Sequence, residues 1–339
     1  MKTKFCIIGG GLAGTMLAAR LCIENQEVVI IDDENPNSAS KVAAGMFNIV
    51  TGKNALKTWM ADELLAEMKA FFEIPSFKIL SQYLHYQPIY RPFKEISDYN
   101  AWTLRKFDEN YLPYITFQEK PILTEYIHNP IGGIFIEKCG WLEIGKFVTH
   151  LQQILREEFG LTYFAEKIED LQTQLDLKNR TLHLESQDSI DFEQLIFCQG
   201  AAVTQNPFWR IPVIPNKGEI LLIHAPELQL EYIISGKVYL IPFGNQHFVA
   251  GATYEWSFEN PFPSEKAKAE LCEYLDNLLH VPYKIVNHRA GLRPTTRDRR
   301  PILATHPEME FLHTFTGFGT KGVILSPYFS KVMAEKLLK

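Results

Sequence analysis

The chain has 339 residues, 46% of them hydrophobic and 22% charged, with 34 Lys and Arg against 40 Asp and Glu for a net charge of −6. These proportions exclude a disordered, collagenous or fibrous protein, and the length suits about two domains with a full apolar core and no disulfide or metal staple. The acidic balance argues against general affinity for phosphate backbones.

The five cysteines (Cys6, Cys22, Cys139, Cys198 and Cys272) are scattered and never in C-x-x-C spacing. They read as reduced, buried thiols of a cytoplasmic protein, with no zinc or redox centre. The ten histidines show no ligand spacing, so no metal is expected. The longest apolar stretch, residues 5–22, is broken by glycines and Arg20 and followed by Glu24, which predicts neither a signal peptide nor a membrane span.

In chain order, residues 5–8 form a short apolar run bounded by glycines and read as a buried parallel strand. Apolar residues at helical spacing over 12–22 and a second apolar run over 27–32 complete a βαβ unit with a right-handed crossover. Residues 55–72 predict a helix. The aromatic- and proline-rich segment 76–136 suits antiparallel strands, and 145–159 returns to helix. Strands are expected at 161–164, 181–185, 194–198, 219–224, 238–242 and 247–252, and a helix at 264–279. A strand at 311–315, a glycine-rich turn and a helix over 322–338 close the chain. Nucleotide-type elements at both ends with strand-rich insertions between predict two interleaved domains in an α/β (α+β overall) fold.

Gly9-Gly10-Gly11-Leu12-Ala13-Gly14 satisfies G-x-G-x-x-G between a strand and a helix. Gly9 permits the turn, Gly11 lets backbone approach a pyrophosphate, and Gly14 allows helix–strand packing, while the helix N-terminus offers unpaired N–H groups. Asp32 ends the second strand, where a carboxylate accepts from ribose hydroxyls and disfavours a 2′-phosphate. The pattern leaves NAD and FAD both open. Two further segments point to a flavin. Small residues in Ser40-Lys41-Val42-Ala43-Ala44-Gly45-Met46-Phe47-Asn48 let backbone approach a planar ring. The glycines of Thr316-Gly317-Phe318-Gly319-Thr320-Lys321-Gly322-Val323 offer donors at a helix start. Lys321 either adds charge there or is simply solvated.

With IFCQGA (196–201), VYLIP (238–242), AGLRP (290–294) and TRDRRPIL, these segments resemble, in order and over nearly the whole chain, the D-amino-acid oxidase family of FAD-dependent oxidoreductases. The resemblance implies a Rossmann-type FAD-binding domain (1–75, 140–205 and 286–339) interleaved with a mainly antiparallel substrate domain (76–139 and 206–285). It places cofactor contacts at Gly9, Gly11, Leu12, Ala13, Gly14, Asp32, Asp33, Ala44, Gly45, Met46, Ile168, Cys198 and Gly200, and at Gly317, Gly319, Thr320, Lys321, Gly322 and Val323. The Cys and His that carry covalent flavin in some relatives are absent from 316–323 and 42–48, so the FAD is expected to be noncovalent.

By the same resemblance Arg293 grips a substrate carboxylate with its planar fork and Tyr239 assists. A buried ion pair is the alternative for Arg293 and core packing for Tyr239. The implied reaction is hydride transfer from the α C–H of a small amine or amino acid to flavin N5, with O2 or another acceptor following. Such chemistry needs orientation more than an acid–base residue. Similarity to the oxidase domain that removes a carboxymethyl group from a tRNA wobble uridine keeps a nucleic-acid substrate as an alternative, as does a 2-hydroxy-acid dehydrogenase or a flavin-binding protein without catalysis. Arg297-Asp298-Arg299-Arg300 reads as a loop with local ion pairs. The aromatics between Tyr83 and Trp102 either line a pocket or pack a strand-rich domain.

Overall fold

The computed structural model describes residues 1–51, 56–105 and 107–339. The first apolar run becomes β1 (Lys2–Ile8), followed by α1 (Leu12–Ile23) and β2 (Val28–Asp32). Phe5, Cys6 and Ile7 are fully buried because β1 is central: it pairs in parallel with β2 on one side and with Ser189–Phe197 on the other. Thr162–Ala165 extends the parallel sheet beyond β2, and Leu312–Thr316 extends it beyond Ser189–Phe197. The chain thus leaves β1 in one direction for β2 and returns on its other side. Such a switch point opens a crevice at the carboxyl ends of the strands. One sheet face is covered by α1, which packs against Ile144–Phe159 and Gly322–Leu337.

A second eight-stranded sheet runs Lys284–Thr295, Ile214–His224, His247–Gly251, Tyr239–Pro242, Ile233–Ser235, Ile89–Pro92, Gly133–Ile136, Ile115–Gln118. Every neighbouring pair is antiparallel except Ile233–Ser235 with Ile89–Pro92. The helix Glu265–Leu278 packs behind it, starting at Ser264, whose Oγ accepts from the Ala267 N–H. This is the mixed α/β architecture with a Rossmann-type half that the sequence implied.

Three local readings differ. The helix expected over 55–72 starts at Ala61. Leu56–Lys57 is a strand, and Ala55 lies outside the described residues. Segment 76–136 contains the expected strands but also a 3-10 helix, Pro75–Tyr83, and an α-helix, Ile96–Thr103. The twelve-residue strand Lys284–Thr295 went unanticipated. It pairs along Ile214–His224 from Thr295 to Lys284, so the second sheet reaches past the boundary drawn at 285. Among the described residues no helix is long and apolar enough to cross a membrane.

Candidate active site

The crevice at the carboxyl ends of the parallel strands is one side of a cavity of about 1460 Å³, and the second sheet forms the other. Every expected cofactor residue lines it except Gly14. That glycine sits beneath the turn: a Cβ there would fall 2.0 Å from the Gly9 carbonyl oxygen, so its task is close packing. The turn is braced from a distance. Gln152 Nε2, on the helix Ile144–Phe159, donates to the Gly10 carbonyl at 2.8 Å and to Thr15 Oγ1 at 2.9 Å, and Thr15 Oγ1 donates to that same carbonyl. Ser40 Oγ accepts from the Leu12 N–H at 2.9 Å. Sequence reading missed Gln152, 142 residues from its partner.

Asp32 accepts from the Gly10 N–H through Oδ2 and from the Glu34 N–H through Oδ1. Burial pushes its carboxyl above the ordinary range, and these two donors offset part of that push. Elsewhere on the cavity wall, Gly319 N–H donates to the Pro294 carbonyl and Thr316 Oγ1 to the Gly200 carbonyl, tying the glycine-rich turn to the second sheet and to the 3-10 helix Gly200–Gln205. Lys321 is not simply solvated: its Nζ donates to Thr58 Oγ1 at 2.9 Å, and burial, with Arg299 nearby, lowers its pKa to about 8.

These residues fit an extended dinucleotide. The volume exceeds the roughly 300–1,000 Å³ of a pocket for one drug-sized ligand. Neither α1 nor Gly322–Leu337 is capped by the side chain of its own N-cap residue, and apart from the Leu12 N–H held by Ser40 their first-turn N–H groups are donors at the cavity wall. Two wall atoms, Gln199 Oε1 and Asn206 Nδ2, are buried with no hydrogen-bond partner among the described residues, which a polar ligand would supply.

The second sheet contributes Arg293 and Tyr239. Arg293 is in register with Asn216, and its Nη1 donates to Asn216 Oδ1 at 2.8 Å and to the Thr253 carbonyl at 3.1 Å. Its guanidinium lies 4.6 Å from the Tyr254 ring centroid and occupies the space a side chain at Gly218 would need. It forms no ion pair among the described residues, and both of its hydrogen bonds use Nη1. Tyr239 faces the cavity beside Gly251, and burial raises its hydroxyl pKa, keeping it a donor.

Of the two acceptors of Arg293, Thr253 is hydrogen-bonded to the Glu219 backbone, and Asn216 is connected to the Glu219 carboxylate through Glu255 and Lys217. The Glu219 N–H donates to Thr253 Oγ1 and the Thr253 N–H donates to the Glu219 carbonyl. The Glu219 carboxylate faces Lys217 at 3.0 Å and His288 at 2.8 Å, and accepts from Ser264 N–H and Oγ, both at 2.9 Å. Lys217 also reaches Glu255, whose carbonyl accepts from Asn216 Nδ2. None of this was visible in the sequence.

The aromatics between Tyr83 and Trp102 do not line the cavity. Tyr90, Phe93 and Trp102 are buried in packing instead, and the exposed Tyr254, Trp256 and Phe262 line it together with Phe47, Tyr239 and Phe318. The 297–300 loop is held by Thr296 Oγ1 to the Arg300 carbonyl and Arg300 N–H to Asp298 Oδ1, with Arg300 over Trp59. Among the described residues its charges make no ion pair, contrary to expectation.

Residues 4–336 match the FAD dependent oxidoreductase (DAO) family. The chain belongs to that family. It is therefore an enzyme, and FAD is its cofactor. The oxidoreductase is 23% identical over 371 residues to the bifunctional protein ThiO/ThiG of Nostoc sp., covering 100% of this chain and 53% of that protein. It thus spans about half the length of that relative. A glycine oxidase of Pseudomonas aeruginosa is 28% identical over 130 residues, 37% of this chain and 35% of its own. In fold the oxidoreductase is similar to iminodiacetate oxidase from Chelativorans sp. (TM-score 0.80, 19% identity, 99% of this chain and 95% of that one). It is equally similar to glycine oxidase from Geobacillus kaustophilus (TM-score 0.80, 19% identity, 99% and 94%).

Proposed function

We propose that this enzyme oxidises the C–N bond of a small amino acid or secondary amine bearing a carboxylate, with noncovalent FAD held by Gly9–Gly14, Asp32 and the Gly317–Val323 turn. The observation that carries this reading is Arg293, anchored through Nη1 and lying at the cavity wall with Tyr239. A planar fork fixed on one edge binds both carboxylate oxygens with its other edge and so orients the α-carbon. The Tyr239 hydroxyl, kept protonated by burial, donates to the same carboxylate. Bound FAD supplies the hydride acceptor. The residues of this chain select the amine, align its α C–H and exclude water. The names of the relatives support the reading, since glycine oxidase and iminodiacetate oxidase both act on carboxylated amines. Four cysteines are buried and all five are free, which suits a reducing, cytoplasmic location.

The test is anaerobic mixing of the yellow protein with glycine, sarcosine, proline, iminodiacetate and D- and L-amino acids, following the flavin band near 450 nm, a property of the cofactor. Bleaching by a carboxylated amine is expected, and Arg293→Leu should raise the concentration required by about a hundredfold or more, the loss of a charge-assisted pair. Bleaching only by hydroxy acids, or a strong requirement for tRNA, would replace this reading. Reoxidation in air distinguishes an oxidase from a dehydrogenase with another acceptor.

A further inference from the structure

The row of the second sheet that carries Tyr239 continues to a group of cations with no task in the reaction above. Register places Ile220 opposite Gly251, Gly251 opposite Tyr239 and Tyr239 opposite Ser235. Parallel pairing of Ile233 with Ile89 and Ile234 with Tyr90 then brings Arg91 beside Ser235. Residues opposite one another in a sheet share a face, so Arg91 and Tyr239 stand on the same side, two strands or about 10 Å apart.

Arg91 and Lys94 line the same cavity as Tyr239 and Arg293, and Lys237 lies at its edge with its Nζ 5.0 Å from the Tyr274 ring centroid on the helix Glu265–Leu278. Burial and the charges of Arg91 and Lys237 make it harder for Lys94 to stay protonated, and Asp98 and Glu95 compensate only in part. Burial also works against the charge on Arg91. Like charges gathered on one wall cost free energy that a bound anion recovers. On the other side of Tyr239, the Arg293 guanidinium lies over Gly218. Arg289 stands opposite Ile220 at that end of the row and the Arg293 guanidinium two residues along the strand, so the tyrosine has cationic groups on both sides.

We propose that Arg91 and Lys94 form a second oxyanion subsite, and that the preferred substrate is a small amine with two carboxylates, one on Arg293 and the other on this pair. The inference rests on the amine-oxidation reading and deepens it. A small dianion fits better than a polyanion, because Asp98 acts on both Arg91 and Lys94, Glu95 also acts on Lys94, and the chain carries a net charge of −6.

The experiment uses the FAD-loaded enzyme and ligands that cannot be oxidised. Malonate, succinate and glutarate are titrated beside acetate, propionate and butyrate, and dissociation constants are read from the perturbed flavin spectrum. One dicarboxylate should bind about tenfold or more tighter than its monocarboxylate counterpart, as expected for an added charge-assisted contact. Arg91→Gln should bring that ratio towards one, and Lys94→Gln serves if the first variant does not fold. Equal binding of mono- and dicarboxylates to the unaltered enzyme overturns the second subsite and leaves the Arg293 reading standing. Tightest binding of 3-phosphonopropionate overturns the carboxylate in favour of a phosphate-like group, and displacement of succinate by tRNA overturns the small dianion. If no carboxylate perturbs the spectrum and no amine bleaches it, both readings fall.

Discussion

Lys321 shows how one side chain ties stability to the cofactor site. Burial lowers its pKa from 10.5 to about 8. Between those values the unfolded chain binds more protons than the folded one, so stability rises with pH through that window. The cost of burying the charge is fully present below about pH 8. Lys321→Met should therefore melt higher than the unaltered apoprotein at pH 7, and the gap should narrow as pH rises towards 10.5. Melting curves at several pH values check this, and a pH-independent gap would contradict it. At this scale the glycines and Asp32 were legible because each residue type answers a local backbone or hydrogen-bond demand. Gln152 was not, since a glutamine within an amphipathic helix looks like any other polar residue until the fold aims it at Gly10.

Between elements, Glu219 links the strand Ile214–His224 to the start of the helix Glu265–Leu278, to Thr253 through its backbone and, by way of Lys217 and Glu255, to Asn216. Lys217 and Glu219 are both almost fully buried, and removing one partner of such a pair costs about 3–5 kcal/mol. Glu219→Gln keeps the shape and removes the charge. It should lower the melting temperature and raise KM for carboxylated amines more than it lowers kcat, because Lys217 and Glu255, which hold the Arg293 acceptor Asn216, lose the opposing charge while the flavin half is untouched. An equal fall in kcat with KM unchanged would rule out a positioning role. The strand Lys284–Thr295 escaped sequence reading for a related reason. Residues 284–287 are exposed, and Arg289, Gly291 and Arg293 interrupt any apolar alternation, so its pairing is set by the neighbouring strand.

For the whole molecule, the cavity between the two sheets makes the cofactor a structural bridge as well as a reagent. Ligand that binds only the folded chain stabilises it by about 2.7 kcal/mol at a hundred times its dissociation constant. Calorimetry of apoprotein at rising FAD concentration should show the main transition moving up continuously. A transition indifferent to FAD would mean that the two sheets unfold apart from the site. The sequence alone determined the βαβ unit, the glycine turn with Asp32 after it and the glycine-rich start of the last helix, because periodicity and glycine report on contacts within a few residues, whereas Arg293 and Tyr239 were implied only by the family resemblance. Only the tertiary structure decided that Asn216 and Thr253 hold Arg293, that Tyr254, Trp256 and Phe262 line the cavity while the aromatics of 83–102 do not, and that Arg91 stands two strands from Tyr239. Those relations depend on register between strands far apart in the chain, and a single step of register turns a side chain to the opposite face of the sheet.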